Sequence, residues 1–201
     1  NLFGLQYIYG TLTNSDGADP LGYSAIMKNP AEFYMPATDA ATGRATYFSK
    51  YDIVRDDYRA VMASCALPGF CRPVKVGDRY YYDGGVPLHH AIEQGCTKMV
   101  VILSNPRNFV KKPEAHRPLY KHMLHKYPKT IQSIDNRHIN YQASIDLACR
   151  LEKEGYVFIF APSRHMPLST FSKDAALEQD LYDLGVADYE ARAEELKHFL
   201  N

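Results

Sequence analysis

Ala63-Ser64-Cys65-Ala66-Leu67-Pro68-Gly69-Phe70, followed at a short distance by Tyr80-Tyr81-Tyr82-Asp83-Gly84-Gly85-Val86, decides how this chain is read. Three consecutive aromatic residues favour a β-strand, and they lead straight into a carboxylate and two glycines. A carboxylate at the end of a strand can face a cleft, and neighbours without side chains let a bulky group approach the backbone beside it. Upstream, residues 63–66 form a patch of small side chains that suits a helix end packed under a cleft, and Pro68-Gly69 stops that helix. Asp83 is the first candidate for chemistry. Ser64 is the nearest hydroxyl in sequence, but it lies on no Gly-x-Ser-x-Gly turn and reads as structural.

Working outward, the pattern alternates helix and strand. Asp19 as N-cap and Pro20 in the first turn predict a helix over residues 21–27. Alternation over 32–38 and 45–49 predicts two strands joined by a turn at 39–43. Asp39 could be a second catalytic acid, but a turn aspartate bonding nearby amides is the better reading. A helix is expected over 56–66. After Asp83-Gly84-Gly85, Pro87 opens a short helix over 88–94 that Gly95 closes. His89 and His90 are adjacent on it, so they do not share a face, and they read as decoration of the helix. The apolar run 98–103 predicts a strand buried on both faces of a parallel sheet. A long helix follows over 135–154, with Ile139, Ala143, Leu147 and Leu151 inward. Then come a strand over 156–161, a loop over 162–172, and two amphipathic helices, 174–184 and 187–200, parted at Gly185. Together these predict one α/β domain with a largely parallel core.

The 201 residues carry 23 Lys plus Arg against 23 Asp plus Glu. No basic face is implied, which argues against nucleic acid as a partner. The longest apolar runs, such as residues 99–103 and 156–160, are far shorter than the ~20 residues that cross a bilayer. Cys65, Cys71, Cys96 and Cys149 form no Cys-x-x-Cys pair and have no zinc spacing, so they read as buried, reduced thiols of a cytoplasmic protein. Cys65 and Cys71 are near enough in sequence to bridge if oxidised. His116, His122 and His125 lie in a basic segment. His122 and His125 have near-helical spacing but no acidic residue close by, so they read as surface residues and no metal is expected. Arg107, in the loop after the 98–103 strand, has two readings: a contact to an anionic head group or a solvated charge.

The block from Ala63 to Gly95, with its Ala-Ser-Cys-Ala-Leu-Pro and Tyr-Asp-Gly-Gly segments, resembles the aspartate-bearing block of the patatin-like acyl hydrolases, bacterial phospholipases and esterases among them. The resemblance implies a three-layer α/β fold with a mostly parallel central sheet, of which residues 1–201 would be the C-terminal portion. It implies a Ser-Asp dyad with Asp83 as the base and with Gly84, Gly85, Ser64 and Pro68 lining the substrate site. No Gly-x-Ser-x-Gly occurs in the sequence, so the serine is expected on a segment upstream of Asn1. No cofactor is implied. The substrate would be a lipid or other carboxylic ester, met in the cytoplasm with transient contact to a membrane surface. Two alternatives stay open: a non-catalytic lipid-binding or interaction module on the same scaffold, and an acyltransferase.

Overall fold

A computed structural model describes residues 3–85, 88–115, 117–167 and 174–201. The expected helix start at Pro87, His116, and residues 168–172 of the expected loop lie outside the described residues. The chain divides into two compact units, Asn1–Pro87 with Pro113–His138, and Leu88–Lys112 with Ile139–Asn201.

In the first unit, α1 (Leu5–Tyr7) runs into a wider π turn at Ile8–Leu12, and α2 covers Tyr23–Lys28. Gly22 rather than Asp19 caps α2, and no side chain bonds its first turn. Strand β1 (Tyr34–Asp39) and strand β2 (Ala45–Ser49) form the expected hairpin. After a short 3-10 turn at Lys50–Asp52, α3 spans Arg59–Ser64, and β3 (Val74–Val76) and β4 (Arg79–Asp83) follow. The four strands form one sheet in the order β2-β1-β4-β3, and every pairing in it is antiparallel. β1 shows the period of two that a half-buried strand requires. Met35, Ala37 and Asp39 turn inward, and the residues between them are half-buried. Pro36 is one position beyond the last β1–β4 pair, Ala37 with Asp83, so its missing amide removes no bond from that ladder.

Helix α3 lies close to this sheet because Ala60, Ala63 and Ala66, just past its end, are almost wholly buried and add no bulk. Larger side chains fill the space around them. Phe48 meets Tyr81 edge-on at 4.9 Å between ring centres, and Tyr82 meets Tyr127 in the same way at 6.1 Å. Later in the chain come α5 (Arg117–Met123) and α6 (Pro128–Asp135). Thr130 of α6 donates to the Ala40 carbonyl at 2.9 Å, tying that helix to the β1–β2 turn.

The second unit contains α4 (Leu88–Glu93), β5 (Met99–Ile102), most of α7 (Arg137–Lys153), β6 (Val157–Phe160) and α8 (Ala175–Leu200). β5 and β6 pair in parallel, in register from Met99 with Val157 to Ile102 with Phe160. Met99, Val157 and Ile159 face a core that also takes Leu88 and Ala148. On the other face, Phe158 and Phe160 pack against Phe199 and Tyr189 of α8.

The structure corrects four expectations. The larger sheet is antiparallel, and among the described residues only β5 with β6 is parallel, so the core is not mostly parallel. β5 is not buried on both faces, because Ile102 is 80% exposed and Val100 is exposed too. Residues 135–154 are not one helix, since the chain breaks at Asn136. The inward stripe of α7 runs through Ile145 and Ala148, while Ile139 is exposed. Glu152 turns into this stripe to accept the Ile159 amide at 3.2 Å, a polar demand that hydrophobic periodicity does not register. Finally, α8 passes through Gly185 without a break. A mid-helix glycine costs only ~1 kcal/mol against alanine, and the strong helix formers around it sustain the run.

Candidate active site

Asp83 closes β4, and its backbone is held on both sides. Its amide donates to the Ala66 carbonyl at 2.9 Å, and its own carbonyl accepts the Thr38 hydroxyl at 3.0 Å. The two sequence blocks that drew attention are therefore in direct contact. The contact depends on how the first block folds. After α3 ends at Ser64, the amides of Cys65 and Ala66 return to Met62 and Ala63, and the amides of Phe70 and Cys71 both turn back to the Leu67 carbonyl. Gly69, at φ +83°, supplies the left-handed residue of that turn, and Pro68 bridges to Cys71. This leaves the Ala66 carbonyl pointing at β4.

The Asp83 carboxylate is half-buried. Its Oδ1 accepts the Gly85 amide at 3.2 Å, and among the described residues no hydrogen bond reaches Oδ2. One oxygen is therefore steadied by backbone while the other is open to a donor. A carboxylate held this way can take a proton from a hydroxyl brought within hydrogen-bond reach.

The glycines serve Asp83 unequally. A Cβ on Gly84 would sit 2.4 Å from the Ala37 nitrogen and the Pro36 carbonyl carbon. Gly84 is therefore glycine because β1 passes against it, not because it leaves room for a substrate. Gly85, at φ +76°, has open space where a Cβ would be. Ser64 donates its hydroxyl to the Pro36 carbonyl at 2.7 Å, which fastens the end of α3 to β1. Pro68 is half-buried within the turn.

Around this cluster the ionisable groups are tuned mainly by burial. Burial pushes the Tyr82 hydroxyl well up, with Tyr127 adding to it, so Tyr82 is a neutral wall residue. Tyr9 lies 3.3 Å from the Cys65 sulfur; burial first, then that contact, pushes its hydroxyl up to about 12. Cys71 is buried and its thiol is raised for the same first reason. All four cysteines are free, but against expectation Cys65 and Cys96 are exposed, since each lies just past a helix end at the surface.

Asp39 is a turn residue. Its Oδ1 accepts the amides of Ala41 at 3.0 Å and Thr42 at 2.8 Å, and Arg79 pairs with Oδ2 at 3.1 Å. Burial pushes its carboxyl up, but the Thr42 amide and Arg79 outweigh that and hold it below the usual carboxylate range. Arg107 is exposed but bound within the protein: it grips Glu152 with two nitrogens, one at 2.7 Å, and donates to the Ile159 carbonyl at 2.9 Å. In α5 and just after it, His125 Nδ1 lies 2.9 Å from the His122 carbonyl. On α4, His89 is exposed and His90 half-buried. Among the described residues no three His, Cys, Asp or Glu side chains gather to hold a metal ion, and no helix is long and apolar enough to cross a membrane.

Sequence reasoning missed the supports of the site: Thr38, the Pro36 carbonyl and the Ala66 carbonyl. Only Thr38 left a signal, as a hydroxyl on the half-exposed face of β1 directly before the turn.

Residues 27–92 match the patatin-like phospholipase family. The patatin-like segment runs from within α2 to within α4 and contains the Ser64 block and Asp83 together, so the match falls on the residues that the geometry joins. It supports the lipid acyl hydrolase family and is compatible with the mixed α/β architecture. Residues 127–201 match a second model, a domain of unknown function (DUF6363), which covers α6, α7, β6 and α8. No curated protein matches the chain.

Proposed function

We propose that this chain carries the base of a serine acyl hydrolase acting on lipid or other carboxylic esters, with Asp83 in a Ser-Asp dyad. The observation that supports this most is the asymmetry at Asp83: its backbone is fixed to Ala66 and Thr38, while one carboxylate oxygen takes no hydrogen bond from the described residues. A base must be positioned and must keep a lone pair for the proton it receives.

The serine comes from a Gly-x-Ser-x-Gly elbow upstream of Asn1, in a longer domain of which these residues are the C-terminal portion. Ser64 is a poor nucleophile because its proton already goes to the Pro36 carbonyl. In the reaction, the serine oxygen attacks the ester carbonyl as its proton passes to Asp83, and the alcohol departs with that proton. Water then cleaves the acyl-enzyme, with Asp83 again as acceptor. Backbone amides of the same upstream segment hold the oxyanion. The open space at Gly85 admits the elbow or the acyl chain, and the turn at Pro68 borders the same site. Access to lipid esters would come through transient contact with a membrane surface.

Intact mass spectrometry of the protein expressed from its complete gene, before and after a fluorophosphonate probe, tests this reading. A single adduct on a serine upstream of Asn1 is expected. Absence of any adduct would favour a non-catalytic lipid-binding module, and transfer of the acyl group to an added alcohol would reassign the enzyme as an acyltransferase.

A further inference from the structure

The first unit carries a shallow, solvent-open cavity of about 210 Å³ lined by Ser15, Leu21, Tyr23, Ser24, Arg55 and Tyr58, among others; Ser15, Ser24 and Arg55 are exposed. None of these residues belongs to the Asp83 cluster. Tyr58 directly precedes α3 and Ser64 ends it, so the two sites sit at opposite ends of that helix.

Arg55 is the cationic group of this cavity. Its guanidinium stacks over the Tyr23 ring at 5.1 Å, and its Nη2 donates to the Ser24 hydroxyl at 2.9 Å. A guanidinium held by one face and one nitrogen keeps other N–H groups for a planar, two-oxygen acceptor, the geometry that suits carboxylate. Asp56, next in sequence, lies within electrostatic reach of Arg55, but both its oxygens take hydrogen bonds from Ser15: Oδ1 from the amide at 2.6 Å and Oδ2 from the hydroxyl at 2.7 Å. Asp56 also has φ 62°, the only positive value among described non-glycine residues. Aspartate visits that left-handed conformation more readily than most residues, and the two Ser15 bonds hold it. The remaining walls are apolar or aromatic, with Leu21 half-buried and Tyr58 buried. Drug-sized ligands occupy roughly 300–1,000 Å³, so this cavity takes something smaller.

We propose that this cavity is a binding site for a small carboxylate with a short apolar chain, its carboxylate on Arg55 and Ser24 and its chain against Leu21 and Tyr58. The site is independent of the acyl hydrolase reading.

The test is a titration of the protein expressed from its complete gene, followed by amide chemical shifts, with hexanoate, 1-hexanol and inorganic phosphate as probes. Hexanoate is expected to shift the amides of residues 21–25, 55 and 58 saturably. Hexanol should bind about two- to fivefold more weakly, since it lacks the charge that pairs with an exposed guanidinium. Arg55→Gln should weaken hexanoate by about two- to fivefold, as for a solvent-exposed ion pair, while the spectrum stays dispersed, and Arg55→Lys should fall between, because it keeps the charge without the fork. Arg55 is exposed, so neither change disturbs the core. Hexanoate binding that survives Arg55→Gln, or shifts located elsewhere, would overturn the assignment. Phosphate binding as tightly as hexanoate would also overturn it, by showing an anion site without apolar selection.

Discussion

Gly84→Ala is the perturbation that most sharply separates the packing account of the Asp-Gly-Gly motif from a substrate-space account. An alanine Cβ there would lie 2.4 Å from the Ala37 nitrogen and the Pro36 carbonyl carbon and 2.7 Å from the Ala37 Cα, against ordinary contacts of 3.4 Å or more. The atoms it meets are backbone within a paired strand, so β1 and the end of β4 must part by about 1 Å. Overpacking of this kind costs about 1–3 kcal/mol. The same displacement stretches the Asp83 amide bond to Ala66 and the Thr38 bond to the Asp83 carbonyl, each worth about 1 kcal/mol. A total of about 3–5 kcal/mol corresponds to a fall of roughly 6–20 °C in melting temperature for a chain of this size. Gly85→Ala is the internal control. It meets open space and carries only the left-handed penalty of about 1–2 kcal/mol. Urea unfolding followed by far-ultraviolet circular dichroism reads both, with equal slopes required before midpoints are compared. If Gly84→Ala is no more destabilising than Gly85→Ala, the close approach of β1 is not what selects glycine at this position.

Three further outcomes are expected. The folded carboxyl of Asp39 titrates below its unfolded value of ~3.9, so its contribution to stability is complete above about pH 5 and is lost as pH falls through the folded value. Asp39→Asn should flatten that part of the acid-unfolding curve, and an unchanged curve would contradict the turn assignment. Asp135, held at about 2 first by Arg117 and then by the Tyr120 hydroxyl, should titrate higher in Tyr120→Phe when followed by carboxyl NMR; no change would remove Tyr120 from the account. Arg192 stacks 4.3 Å over the Phe158 ring and donates to the Ile159 carbonyl at 2.7 Å, so Arg192→Ala should cost about 1–2 kcal/mol in a thermal melt. A melt unchanged within error would show that Arg107 alone satisfies that carbonyl.

The parts legible in sequence were those with local causes. The β1–β2 hairpin declared itself through alternation and a turn whose aspartate and glycine have local roles, and Asp83 through the aromatic run that makes β4. Strand direction was not legible. The apolar run of β5 read as a doubly covered strand in a parallel sheet, yet the four strands that build the larger sheet are joined by antiparallel pairing, which depends on where distant segments dock. Gly185 misled because a glycine ends a helix only when it takes up a left-handed cap, and here α8 continues through it. The supports of the site were hidden for a similar reason. Pro36, Thr38 and Ala66 act through contacts to residues 17 to 45 positions away, and neither hydrophobic period nor motif spacing encodes those. The cavity at Arg55 brings residues 15–25 together with 55–58 and left no local signature at all.

The central claim is that Asp83 is the base of an acyl hydrolase, and ester turnover by Asp83→Asn in the protein expressed from its complete gene tests it most directly. The amide side chain keeps the size of the carboxylate and its acceptor for the Gly85 amide, so the fold should be retained by circular dichroism. Loss of a general base predicts a fall of about 10²–10⁴-fold in turnover of a p-nitrophenyl ester. Wild-type turnover by a folded Asp83→Asn protein would contradict the account.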